Sequence, residues 1–85
     1  MILPTIHLNG TSAERLFESY HAAWRSVEEA RDALGKIEFN ARDYYVQQPE
    51  AWPTARAEMQ ARHEKLKAVS DELMTIMQHV NQFIK

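Results

Sequence analysis

Cysteine is absent from this chain, and glycine and proline are scarce, at two and three residues. Without cysteine there are no disulfides, no thiolate zinc sites and no thiol nucleophile. Gly10 and Gly35 stand far apart, so no glycine-rich phosphate loop can be built. Charge of one sign is also missing. A formal net charge of -2 speaks against a dedicated nucleic-acid binder, which carries a basic excess. The aromatic residues are not interleaved with a basic strip, as single-strand binders require. The one apolar run at the start, Met1 to Leu8, is broken by Pro4 and His7 and is too short for a signal peptide or a membrane span. Together these absences point to a soluble, cytoplasmic protein that needs no cofactor and holds no metal.

A chain of 85 residues makes one domain, near the size where a single core is marginal. Ordering each residue costs about 1.5 kcal/mol, so small scaffolds lean on disulfides, metals or partners. With the first two removed, partners remain, and a homo-oligomer is expected.

What the chain does have is periodicity. Leu16, Tyr20, Ala23, Val27, Ala30, Leu34 and Ile37 follow an unbroken 3-4 spacing. So do Trp52, Ala55, Met59, Arg62, Leu66, Val69, Leu73, Ile76, Val80 and Phe83. That repeat is the narrow stripe of a coiled-coil seam. The expected fold is all-α: an antiparallel two-helix hairpin, coiled-coil-like, behind an extended N-terminal leader and completed as a bundle by oligomerisation.

Its boundaries follow from local signals. Residues 1–10 alternate in character and end at the Asn9-Gly10 turn, reading as a leader. Thr11-Ser12-Ala13-Glu14 reads as a capping box with Thr11 as the cap. A first helix is thus expected over about 12–39, a connector over 40–48 and a second helix over about 49–84. Pro49 suits a first helical position, whereas Pro53 is awkward further in, so the second helix starts at one or the other. Laying the seams antiparallel sets Ile37 against Trp52, Val27 against Arg62 and Leu16 against Leu73. The second helix then overhangs at Ile76, Val80 and Phe83, where Ile2, Ile6 and Leu8 of the leader can cover it. Phe17, Trp24, Met74 and Met77 flank the seams and are left over as interface candidates. Arg62 joins them as a cation in the seam that must snorkel, pair with Glu28 or Glu29, or contact a ligand, unless it serves to set register and oligomer state.

Chemistry is sparse. His63-Glu64 starts like a zincin helix, but Lys67 stands where the second histidine is required. His7, His21, His63 and His79 form no pair at i, i+4 that would make a metal site within one helix. Glu28-Glu29-x-x-Asp32 resembles half of the acidic motif of helical nucleotide pyrophosphohydrolases, but the other acidic pair, Asp71-Glu72, falls opposite Leu16 in the expected register. Thr11 and Ser12 offer hydroxyls and free N–H groups at a helix start, suited to a phosphate or simply to capping. In the connector, Arg42, Tyr44 and Tyr45 combine a forked cation with stacking rings; the plainer role for the tyrosines is to plug the hairpin end beside Trp52. These two ends stand roughly 40 Å apart on one subunit and meet only between subunits.

The segment Ile6-His7-Leu8-Asn9-Gly10-Thr11-Ser12, with Arg42-Asp43-Tyr44-Tyr45 ahead of a proline and a second long helix, resembles small accessory proteins of tailed phages and prophages. The likeness spans nearly the whole chain but brings no reaction to carry over. It implies a phage-encoded protein acting inside a bacterium. Small phage proteins of this build bind a host protein or sequester a nucleotide signal of antiviral defence. The expected function is therefore a non-enzymatic binding protein of that kind, with no membrane and no dedicated nucleic-acid role. The alternatives are an adaptor docking a partner helix on the apolar hairpin face and, last, an acidic-helix hydrolase.

Overall fold

The computed structural model describes residues 1–85 and contains two long helices and no strand. Helix α1 runs Ala13–Gly35 and α2 runs Ala51–Asn81, with a single 3-10 turn, Ala41–Asp43, between them. They pair as an antiparallel hairpin measuring 61 × 22 × 16 Å. Its radius of gyration is 18.7 Å, against about 12 Å for a compact chain of this length. No helix is long and apolar enough to cross a membrane.

The ends of the helices have local causes. Ser12, in extended conformation, caps α1: its Oγ accepts from the Arg15 N–H at 3.2 Å. The cap is thus one residue later than the expected Thr11, and with Arg15 in the third helical position no capping box forms. At the other end the last turn tightens: the Lys36 and Ile37 N–H groups bond to the Ala33 and Leu34 carbonyls. Gly35 weakens helical continuation there by about 1 kcal/mol relative to alanine, and α1 stops four residues short of the expected 39. Helix α2 starts at Ala51, between the two prolines. Pro53 fits in its first turn because that turn's N–H groups have no helical partner; the first i to i−4 bond runs from the Thr54 N–H to the Glu50 carbonyl.

The register differs most from expectation. The Ser70 hydroxyl donates to the Glu28 carboxylate across the hairpin. In the expected register Glu28 would face position 61, so α2 has slid by about 13 Å along α1. Carried along the repeat, this bond sets Trp24 level with Leu73 and Tyr20 level with Met77. The stripe of α1 withdrawn from solvent is accordingly Ala13, Phe17, Tyr20, Trp24, Val27, Arg31 and Leu34, with Leu16, His21 and Glu28 half-buried beside it. That of α2 is Trp52, Ala55, Met59, His63, Leu66, Ser70, Leu73, Met77 and Val80, with Ala51, Ala61, Met74, Ile76 and His79 half-buried beside it. Past Met59 the inward stripe takes one extra four-residue step, so Arg62, Val69, Ile76 and Phe83 lie beside the seam rather than in it.

Several interface candidates change role as a result. Met77 is buried inside its own hairpin and unavailable to a partner; Phe17, Trp24 and Met74 are half-buried there. Arg62 is exposed, makes no ion pair and is not a seam residue. A polar seam layer does exist, but it consists of Arg31, Glu28 and Ser70.

The overhang is also at the opposite end. With Gly35 level with about residue 62, the first three turns of α2 project past α1, and the connector folds back along them. The leader still packs on the far part of α2, where the Pro4 carbonyl lies 2.7 Å from His79 Nε2. A carbonyl only accepts, so His79 donates from Nε2. Pro4 and Ile6 are the half-buried leader residues, whereas Ile2 and Leu8, expected to cover α2, face solvent almost completely. The turn after the leader suits glycine: a Cβ on Gly10 would lie 2.8 Å from His7 Nε2.

Candidate functional site

The projecting end of α2 would be a bare helix without the connector. Phe39, Tyr44 and Trp52 close against one another there, with centroid separations of 5.0 Å (Phe39–Trp52), 5.5 Å (Phe39–Tyr44) and 5.6 Å (Tyr44–Trp52). Aromatic pairs at such distances add about 0.5–1.5 kcal/mol each beyond the area they bury. The 3-10 turn Ala41–Asp43 swings Tyr44 into this cluster, while Tyr45 points away and is 69% exposed. The two tyrosines of the connector therefore divide the expected roles: Tyr44 plugs the hairpin end and Tyr45 stays free.

Two grooves flank the plug. One, of about 750 Å³, is lined by Tyr44, Val46, Gln48, Glu50, Thr54 and Glu58. Its two glutamates and lack of a cation give it the wrong sign for a phosphate. The other, of about 450 Å³, is lined by Phe39, Trp52, Arg56, Met59, Gln60 and His63. It has no carboxylate. The Arg56 guanidinium carbon lies 6.0 Å above the centre of the Trp52 ring, within cation–π range. Rings, a forked donor, an amide and an imidazole thus converge on one shallow surface. Sequence reasoning took Trp52 and Met59 as core and passed over Arg56. The spacing Trp52-x-x-x-Arg56 was the available signal, since i, i+4 residues share a helix face.

Arg42 is exposed and forms no ion pair. Thr11 and Ser12 are exposed at the opposite end of α1, a helix about 35 Å long. One chain does not bring them to the connector. Ser12 is already occupied as the cap, whereas the Thr11 hydroxyl has no partner within the chain.

The corrected register moves the acidic residues too. Asp71 lies beside Glu28 rather than opposite Leu16, so the two halves of the acidic pattern come level. Three of the five acids are nonetheless held by nearby bases of their own segment: Glu28 by Arg31 at 2.9 Å, Asp32 by Lys36 at 3.0 Å, Asp71 by Lys67 at 2.8 Å. No group of three or more His, Asp or Glu side chains is placed to hold a metal ion.

Glu28 is the one side chain with a clearly displaced pKa. The Ser70 hydroxyl donating to its carboxylate, helped by the Arg31 guanidinium, holds it below the usual range against burial and the nearby Asp71 charge. A carboxyl whose pKa is lower folded than unfolded stabilises the fold above the unfolded value. That contribution is lost as pH falls through the folded one. Melting temperature should therefore drop on acidification below about pH 4.5. Glu28→Gln should melt lower than wild type at pH 7, with the gap shrinking at pH 3.5. Thermal melts of both proteins at the two pH values check this; an equal gap at both would exclude it.

No family model matches this chain, and no curated protein or solved structure matches it either.

Proposed function

We propose that the protein is a non-enzymatic binding module for a small anionic molecule with a planar ring, of the nucleotide class, captured at the hairpin end. The observation that carries this reading is the groove of Phe39, Trp52, Arg56, Gln60 and His63, with ring faces, hydrogen-bond donors and no carboxylate. The exposed Arg42 and Tyr45 of the same connector add a second forked cation and a second stacking ring. Thr11 and Ser12 join such a site only from another subunit. The resemblance to tailed-phage accessory proteins supplies a biological setting, in which capture of a nucleotide signal blunts host defence. Docking of a partner helix on Phe17 and Trp24 has less to rest on, since both are half-buried in the chain itself.

Ligand binding to the folded state alone raises its stability by about 2.7 kcal/mol at a hundredfold excess over Kd. For a domain of this size that is a rise in Tm of roughly 10 °C or more. Thermal shift across linear and cyclic nucleotides should find at least one such ligand. Arg56→Ala, Arg42→Ala and Tyr45→Ala should each reduce the shift while leaving the unliganded melt within a few degrees of wild type. If no nucleotide moves the melt, the reading is wrong; capture of a host protein instead, undisturbed by these three changes, would favour the adaptor.

A further inference from the structure

The two helices use one stripe each to form the hairpin, and a second stripe lies beside it on both. On α1 the neighbouring positions are Ala23, Ala30 and, just past its end, Ile37. On α2 they are Val69, Ile76 and Phe83, the last two residues past its end. In heptad terms all six flank the seam at the g position. In an antiparallel pair g positions of one helix adjoin g positions of the other, so the six share one side of the molecule. The Glu28–Ser70 register sets Ala23 level with Ile76 and Ala30 level with Val69. The opposite side carries His21, Glu28, Gln60, Lys67, Met74 and Asn81 at the equivalent positions. The first side is apolar apart from Arg62 at its end, whereas the second is polar apart from Met74.

The apolar side is not closed by the chain itself. Ala23 and Ala30 are exposed, and Ile37, Val69 and Phe83 keep 49%, 44% and 46% of their surface. His79, which bonds the Pro4 carbonyl, lies on this side of α2, so the leader crosses only its far end.

The chain as a whole leaves enough surface in excess of a folded monomer to supply a subunit interface. The chain exposes 6619 Å². A folded monomer of 9.9 kDa exposes about 5,200 Å² on average. The excess of about 1,400 Å² exceeds the roughly 800 Å² that each partner buries in a standard interface. A net charge of only -2 imposes little repulsion between copies. Ala23 and Ala30 let a second helix pair approach closely, and Arg62, exposed level with Ile37, keeps a charge at the rim. We infer that the occupant of this face is a second copy of the chain, two hairpins closing into a four-helix bundle through Ala23, Ala30, Ile37, Val69, Ile76 and Phe83. This inference stands apart from the ligand reading, since it uses none of the groove residues.

Light scattering during size exclusion at about 50 µM, a concentration well above the micromolar Kd of a modest interface, tests it. Wild type should elute at twice 9.9 kDa or a higher multiple. Val69→Glu and Ala30→Glu should each bring the mass to that of one chain with helical circular dichroism retained, because both positions are already exposed in the single hairpin. Gln78→Glu, exposed and off this face, should leave the assembly whole. A wild-type protein that runs as a single chain, or an assembly that survives both Val69→Glu and Ala30→Glu, overturns the inference.

Discussion

Val80→Asp should leave the protein largely unfolded at 25 °C. Val80 is the one large side chain with no solvent exposure at all, and the buried set is small: Ala13, Ala55, Ser70 and Met77 complete it. Losing a fully buried valine forfeits about 1.5–3 kcal/mol of transfer free energy. A carboxylate in its place adds a desolvation cost of several kcal/mol, or a proton uptake of similar size. Against this, a domain of this length has a total stability of roughly 4–13 kcal/mol, and so thin a core belongs near the low end. The sum of the two losses consumes most or all of it. Far-UV circular dichroism should report the loss of helix directly. Gln78→Asp, two residues away but exposed, should stay within about 0.5 kcal/mol of wild type. If Val80→Asp kept its helicity and melted within a few degrees of wild type, the packing of leader, α1 and α2 around position 80 would have to be abandoned.

The contrast between positions 78 and 80 also explains what the sequence could and could not reveal. The 3-4 repeat identifies two helices and their antiparallel pairing, because only a helix repeats its faces at that spacing. It does not choose between adjacent stripes. Arg62, Val69, Ile76 and Phe83 form as regular a series as His63, Ser70, Met77 and Ile84, and the first is the more apolar. The second faces α1 because it brings Trp24, far larger than Ala23, into the hairpin, with the unbranched Met77 in place of Ile76 of similar volume. It also lets Ser70 satisfy Glu28, which Arg31 holds in place. That layer is a tertiary fact: a hydroxyl on one helix and a carboxylate on the other, 42 positions apart in the chain. Polar residues at such positions fix register, the role expected of Arg62 but filled by its neighbours.

The same cause hid the site. Placing the overhang at the C-terminal end of the second helix made Trp52 a partner of Ile37, and so a core residue with no spare face. Sliding the register moves Ile37 into solvent and leaves Trp52 to the connector, where Phe39 and Tyr44 cover part of it and Arg56 lies over it. The Arg42–Tyr45 segment was legible as a loop rich in binding groups. Which tyrosine plugs and which stays free depends on the 3-10 turn at Ala41–Asp43, which no spacing rule foresaw.

Trp52→Ala should loosen the projecting end of α2 far more than the rest of the molecule. Trp52 touches both other rings of the plug, and each pair contributes about 0.5–1.5 kcal/mol in addition to buried area. A loss of about 2–3 kcal/mol follows, somewhat below the 3–5 kcal/mol typical of fully buried tryptophans because this one is half-buried. The first three turns of α2 project past the end of α1 in the Glu28–Ser70 register, and a helix of about twelve residues is marginal in water by itself. Opening of this segment then becomes a local event. Amide hydrogen exchange between residues 54 and 62 should accelerate by roughly 30- to 160-fold, the equivalent of that energy. Amides from Leu66 to Val80, where α2 packs on α1, should change much less. Trp52→Phe keeps a ring in the plug and should recover most of the protection. Uniform acceleration along the whole of α2 would mean that the aromatic plug and the hairpin seam open as one unit. The groove would then lose the rigid platform that binding a flat, charged ligand requires.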